Sequence, residues 1–302
     1  MEPSQSKLYY WYLAIRPKTL PAAAAPVAVG TAVAYADGVF SFLPALAAFL
    51  GALLLQVAVN LANDYFDAKN QIDSEARLGP TRVTQSGLIS PGQVKMGMIV
   101  SLSVAALIFV YLTFIGGIGI FCVAVASVLA ALAYSGGPFP LASHGLGELF
   151  VFIFFGLVAV GGTYWVQALS LSQLVVISSF CPGLLISAIM VVNNLRDIET
   201  DEPAGKRTLA VRLGREKTIL FYRLVVAGAY SVLPLLDYTG AAFPVYLPLL
   251  TLPMAFVLCR DVKILTGSEL NKTLAKTAKL SLFFSLLLSI GFIIPKALSL
   301  TF

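Results

Sequence analysis

The residues best suited to chemistry lie in two acidic strings set in an otherwise greasy chain. The first, NLANDYFDAKNQIDSEARLGPTR at 60–82, brings Asn60, Asn63, Asp64, Asp67 and Asp73 to the end of a long apolar run. The second, NNLRDIETDEPAGKRTLAVRLG at 193–214, brings Asn193, Asp197 and Asp201 to the end of another. Positions three and four apart share a helix face, so Asn60, Asp64 and Asp67 are predicted to project together. Asn193, Asp197 and Asp201 do the same if their helix continues that far. Four carboxylates converging without counter-charge would raise one another's pKa, so something positive should sit between them.

With no His or Cys nearby, the donors are hard oxygens, a set that selects Mg²⁺ over zinc or copper. Mg²⁺ keeps one or two carboxylates plus waters and substrate phosphates. Two carboxylate pairs with Asn60 and Asn193 therefore suggest two ions, or one shared cluster, bridging a diphosphate. Cations follow each string: Lys69, Arg77 and Arg82 after the first, Lys206, Arg207 and Arg212 after the second. They suit a diphosphate that the metal also grips, and Gly79-Pro80 and Gly205 mark turns able to aim them.

The elements that must position these groups are membrane helices. The 302 residues are 58% hydrophobic and 12% charged, and mean hydropathy is +0.88. Apolar stretches of about 20 residues recur along the chain. They are too long for barrel strands and lack strand alternation. The expected fold is an all-α membrane protein, a single domain over 1–302 with about nine transmembrane helices in one bundle. The spans are expected near 20–36, 41–66, 94–115, 117–135, 146–168, 172–195, 219–236, 242–259 and 280–298. The two acidic strings end the second and sixth spans. Those spans are equivalent if the bundle is two four-helix units plus one helix, which a tandem duplication would explain.

Going by these spans, nineteen of the twenty Lys and Arg fall on one side and only Lys296 on the other. This puts the N-terminus and the acidic strings on the cytoplasmic face of the cytoplasmic (inner) membrane. The net charge of +5 is thus mostly topological and calls for no nucleic acid; part of it can meet anionic lipid or substrate. No cleaved signal peptide is expected. Cys122, Cys181 and Cys259 have no CxxC spacing and read as core residues. GGIG at 116–119 reads as a turn rather than a phosphate loop, because no strand precedes it.

The motif Asn63-Asp64-Tyr65-Phe66-Asp67 (NDxxD) and the pair Asp197, Asp201 (DxxxD) resemble the two signatures of the UbiA superfamily of intramembrane prenyltransferases. The resemblance covers essentially the whole chain. The strings RPKTLPAAAAPVAVG at 16–30, LGPTRVTQSGLIS at 78–90, GLGELFVFIFFG at 145–156 and the second acidic string resemble the branch that prenylates 1,4-dihydroxy-2-naphthoate. The broader superfamily often carries a third Asp where this chain has Gln71; here the next is Asp73.

The resemblance implies transfer of a polyprenyl group from polyprenyl diphosphate to 1,4-dihydroxy-2-naphthoate, with loss of CO₂, giving demethylmenaquinone. Asp64, Asp67, Asp197 and Asp201 are then expected to hold Mg²⁺, with Asn60 and Asn193 completing its shell. Lys206, Arg207, Arg82 and Arg77 are expected to contact diphosphate, with Lys69 and Arg212 behind them. Arg16 and Lys18 suit interface anchoring or an acidic acceptor, and Tyr134, His144 and Glu148 could lie beside the acceptor ring. Other readings are a UbiA-type transferase acting on 4-hydroxybenzoate, homogentisate or a glycerol phosphate lipid, and an ion-coupled secondary transporter. Acids gathered at one membrane face beside cationic loops favour diphosphate chemistry over transport. The DG-x2-AR motif of CDP-alcohol phosphotransferases is absent.

Overall fold

The computed structural model describes residues 6–69, 78, 79, 82–241 and 243–299. Among them there is no strand. The chain runs through α1 (Lys7–Ile15), α2 (Leu20–Ala36), α3 (Phe42–Lys69), α4 (Pro91–Gly116), α5 (Ile118–Ala133), α6 (Gly147–Ala168), α7 (Gln173–Arg196), α8 (Leu209–Tyr238), α9 (Pro244–Ile264) and α10 (Leu270–Ser299). Among the described residues eight segments are long and apolar enough to span a bilayer, with α1 and α2 forming one of them. The sixteen-residue α5 is a shorter apolar helix. The expected helical membrane bundle is therefore the fold observed.

Three of the starts have a clear local cause. Ser90 and Gln93 form a capping box around Pro91 at the head of α4. The hydroxyls of Ser172 and Thr208 accept from the N–H groups of Val175 and Val211, capping α7 and α8. Three expected boundaries move. The helix expected at 280 begins at 270, because its first turns are charged and leave the apolar layer while still helical, and the one expected at 219 is preceded by a short helical segment from Leu209 that kinks at Gly214, whose φ is 73°. The span expected at 242 opens with the 3₁₀ stretch Phe243–Thr251, where Pro248 removes a backbone donor. Several basic residues assigned to loops, among them Arg212, Arg215, Lys272 and Lys276, thus sit on helical turns.

Packing divides the molecule unequally. The main core lies among α2, α6, α7, α8, α9 and α10, with Leu185, Tyr222, Leu233 and Phe284 fully buried. The last helix packs on both α2 and α7, and so ties the two ends of the chain together. α6 and α7 cross with their backbones in contact at Gly156 and Gly183, where a Cβ on Gly183 would lie 3.0 Å from the Gly156 Cα. There α6 is π-helical over Phe152–Val158. A smaller core joins α1, α3 and α4 through Ala14, Leu61 and Met98, backed by Trp11.

Candidate active site

A cavity of ≈ 430 Å³ opens between α2, α3, α4, α5, α6 and α7. Its polar head is formed by the ends of α3 and α7 together with Arg16 and Thr19. Its apolar arm runs between Ala23 and Val27 of α2, Ala52 of α3 and Phe154 of α6 toward Leu112, Ile120 and Val166. The last three form a small core of their own. Small side chains on α2, α3 and α5 keep the arm open.

Both acidic strings reach this head, each differently. On α3, Asn60, Asn63 and Asp67 line the cavity, and Asp67 is ion-paired with Arg82. Asp64 does not line it. Its carboxylate is 1% exposed and accepts from the backbone N–H of Val83 and Thr84 at 3.1 and 3.0 Å, pinning the segment that carries Arg82. The carboxamide of Asn60 donates to the Ile15 carbonyl and to Thr19 Oγ1. This holds the break between α1 and α2, where Arg16 has a left-handed φ of 51° uncommon outside glycine. Asn63 Oδ1 accepts from Ser135 Oγ at 2.6 Å.

On the other side α7 stops at Arg196. Asp197 leaves helical geometry, with φ −97° and ψ 6°, and a four-residue helical turn, Ile198–Asp201, follows. The expected continuation of the helix to Asp201 is thus replaced by a break, yet Asn193, Asp197 and Asp201 all line the cavity. Arg196 grips Asp197 through both oxygens, at 2.7 and 2.6 Å. Lys206 Nζ meets Asp201 Oδ1 at 2.9 Å. Gly205, at φ 74°, makes the turn that brings Lys206 back over Asp201. Burial pushes the Asp201 carboxyl above its ordinary value, against the lowering effect of Lys206. Burial, then Glu148 and Asp67, pushes the Tyr134 phenol up, so it stays protonated and able to donate. In this structure Tyr134 donates to Met190 Sδ at 3.2 Å.

The expected positive charge between the acids is therefore present as Arg82, Arg196 and Lys206, all lining the cavity. Other expected contacts lie apart from it. Lys69 and Arg207 are exposed and do not line it. The Arg212 guanidinium donates to the carbonyls of Arg207 and His144, stapling two loops. Glu148 and His144 sit behind the wall, and His144 stacks on Phe139. Arg77 and Asp73 lie outside the described residues. Sequence reasoning treated Arg196 as topogenic and passed over Asn194, Thr19, Gln56 and Ser135, although Asn194 and Arg196 stand inside the second string.

The donor set suits Mg²⁺ in its usual style. Among the described residues no three His, Cys, Asp or Glu close around one point. Three carboxylates and several carboxamides nevertheless surround one cavity, which fits an ion held by one or two carboxylates and completed by water or ligand oxygens. Asp67, Asp197 and Asp201 are the groups able to hold it.

Comparison with known proteins agrees with this architecture. Residues 23–287 match the UbiA prenyltransferase family. A 1,4-dihydroxy-2-naphthoate octaprenyltransferase of Haemophilus influenzae is 36% identical, over 95% of this chain and 97% of its own. The one from Mycobacterium tuberculosis is 40% identical over 73% and 76%. The structure of a UbiA homolog from Archaeoglobus fulgidus bound to GPP and Mg²⁺ superposes with a TM-score of 0.70, covering 94% of this chain and 99% of that one at 15% identity. The chain is an integral membrane protein and belongs to the UbiA prenyltransferase family.

Proposed function

We propose that the protein transfers a polyprenyl group from polyprenyl diphosphate to 1,4-dihydroxy-2-naphthoate, with loss of CO₂ and diphosphate, giving demethylmenaquinol, the reduced form of demethylmenaquinone. The observation that carries this reading is similarity over nearly the full length, at 36% and 35% identity, to relatives named for that reaction. The cavity supports it, since a charged head and a long apolar arm match the two ends of a prenyl diphosphate. The enzyme works in the cytoplasmic (inner) membrane with the N-terminus and the acidic ends of α3 and α7 facing the cytoplasm, an orientation that the Lys and Arg asymmetry supports.

The residues divide the work by chemistry. Asp67, Asp197 and Asp201 hold Mg²⁺, which when bound neutralises charge on the diphosphate. Lys206 and Arg82 turn from their carboxylates toward phosphoryl oxygens, while Arg196 stays seated on Asp197 at the cavity wall, so that preorganised positive charge faces the leaving group. Tyr134 donates from its phenol to the same group. The apolar arm orders the prenyl chain and keeps water from the allylic cation formed as the C–O bond breaks. Phe150, Phe154 and Phe155 line the cavity and offer ring faces that favour such a cation. Arg16, at the cavity wall, suits the carboxylate of an acidic aromatic acceptor. Asp64 and Asn60 act from behind, one holding the Arg82 segment and the other the Arg16 segment.

Purified protein in detergent or nanodiscs, given geranylgeranyl diphosphate and one acceptor at a time, tests this. The expected result is Mg²⁺-dependent product with 1,4-dihydroxy-2-naphthoate and at least about tenfold less with 4-hydroxybenzoate or homogentisate. A preference for either of those acceptors would reassign the acceptor.

A further inference from the structure

Behind the cavity wall a hydrogen-bond chain begins at Glu148, in the first turn of α6 and only 4% exposed. Glu148 Oε1 accepts from Asn194 Nδ2 at 2.8 Å. Asn194 Oδ1 accepts from Asn193 Nδ2 at 3.4 Å, and Asn193 Oδ1 accepts from Arg196 Nη2 at 3.0 Å. Arg196 closes the chain by gripping both oxygens of Asp197. A second arm leaves the guanidinium: Nη1 donates to Asn271 Oδ1 at 2.7 Å, and Asn271 donates to the Leu78 carbonyl at 2.8 Å.

The two ends of this chain differ in kind. A carboxylate only accepts and a guanidinium only donates, whereas each carboxamide between them has one group of each sort. Only one orientation of both amides satisfies every link. Asn194 must turn its NH₂ to Glu148 and its oxygen to Asn193. Asn193 must turn its NH₂ to Asn194 and its oxygen to Arg196. Replacing the acceptor-only end by a group that can also donate removes that uniqueness. An ionisable side chain within a membrane helix is costly unless it is paired or functional. Here its second oxygen has no hydrogen-bond partner among the described residues, so the link to Asn194 is its distinctive side-chain contact.

We propose that Glu148 is a positioning residue: by accepting from Asn194 it fixes the polarity of the carboxamide relay that seats Arg196 on Asp197. It does not line the cavity, and it acts on the head group of the donor only through this relay. The inference rests on the reading that a diphosphate sits between the two acidic motifs.

The test uses full-length protein and two readouts. One is the KM for prenyl diphosphate against that for the naphthoate. The other is the rise in Tm that Mg²⁺ with inorganic diphosphate produces, a binding measure independent of turnover. E148Q keeps the volume and one acceptor but frees the amides to turn. It is expected to raise the donor KM about tenfold, the scale of one hydrogen bond to a charged group, to leave the naphthoate KM nearly unchanged, and to shrink the Tm rise. The double variant E148Q/N194D restores the relay, because the new amide donates to the new carboxylate, which still accepts from Asn193. It is expected to recover most of both losses. E148Q with wild-type donor KM and Tm response, or a double variant no better than E148Q, overturns the proposal. Should E148Q fail to accumulate in membranes, the double variant decides in the same way: recovery supports the relay, and failure to recover overturns it. A wild-type protein with no thermal response to Mg²⁺ and diphosphate would instead overturn the diphosphate reading, and the relay with it.

Discussion

Asp64 and Asp197 each follow an Asn by four residues, and the sequence treats them as equivalents, yet their carboxylates hold different things. Asp64 accepts two buried backbone N–H groups; Asp197 faces the cavity, gripped by Arg196. Asp64→Ala is therefore expected to lower Tm as well as rate, since each orphaned buried donor costs about 1–3 kcal/mol. Asp197→Asn is expected to leave Tm within a few degrees of wild type while cutting turnover about 10²- to 10³-fold, the scale of losing one preorganised electrostatic group. Thermal unfolding and initial rates on both variants check this; equal Tm losses would merge the two roles. Asp201 adds a pH signature. Burial raises its pKa and Lys206 lowers it, so the ionised form is lost at a higher pH than for a free carboxylate. At limiting Mg²⁺ the acid limb of the rate profile is expected above the ordinary carboxylate range. Lys206→Met removes the lowering partner and is expected to move that limb further up; a downward or null shift would contradict the assignment. Residue types were legible here, because hard oxygens and following cations announce phosphate chemistry. The division of labour was not, since a carboxylate bound to backbone and one bound to a cavity cation are spelled alike.

Helix α7 shows what element-level reading captures and what it misses. Its apolar run and Ser172 cap mark 173–196 closely, and the acidic string marks its end. The helical period, however, carries no sign of the break at Asp197, because that break comes from the Arg196 clasp and the following turn rather than from a Gly or Pro. The late start assigned to α10 has a related cause: hydropathy finds where a helix enters lipid, not where hydrogen bonding begins. The crossing of α6 and α7 is a tertiary fact, marked in sequence only by Gly156 and Gly183. Gly183→Ala puts a methyl 3.0 Å from the Gly156 Cα and from the Phe152 ring. Overpacking of this kind costs about 1–3 kcal/mol, so a lower Tm is expected, with the donor KM raised because both helices wall the cavity. An unchanged Tm would show that the crossing relaxes freely.

At the scale of the whole molecule, charge sorting and hydropathy were enough to draw a helical membrane bundle, and its orientation can be checked directly. In a cysteine-free background, Pro203→Cys is expected to react with a membrane-impermeant maleimide only from the cytoplasmic side, and Tyr238→Cys only from the opposite side; the reverse pattern would invert the topology. The cavity was not legible in the sequence, because it arises where six helices fail to fill the space between them and no linear motif encodes such a gap. That space joins the charged ends of α3 and α7 to an apolar arm, and on this union the account depends. The most direct measurement is mass spectrometry of the product formed from 1,4-dihydroxy-2-naphthoate and a prenyl diphosphate, with and without Mg²⁺, by wild type and Asp197→Asn. The account predicts a prenylated naphthoquinol lacking the carboxyl group, made by wild type with Mg²⁺ and nearly absent without the ion or in the variant. An unprenylated naphthoate under every condition, or equal product from the variant, would contradict it.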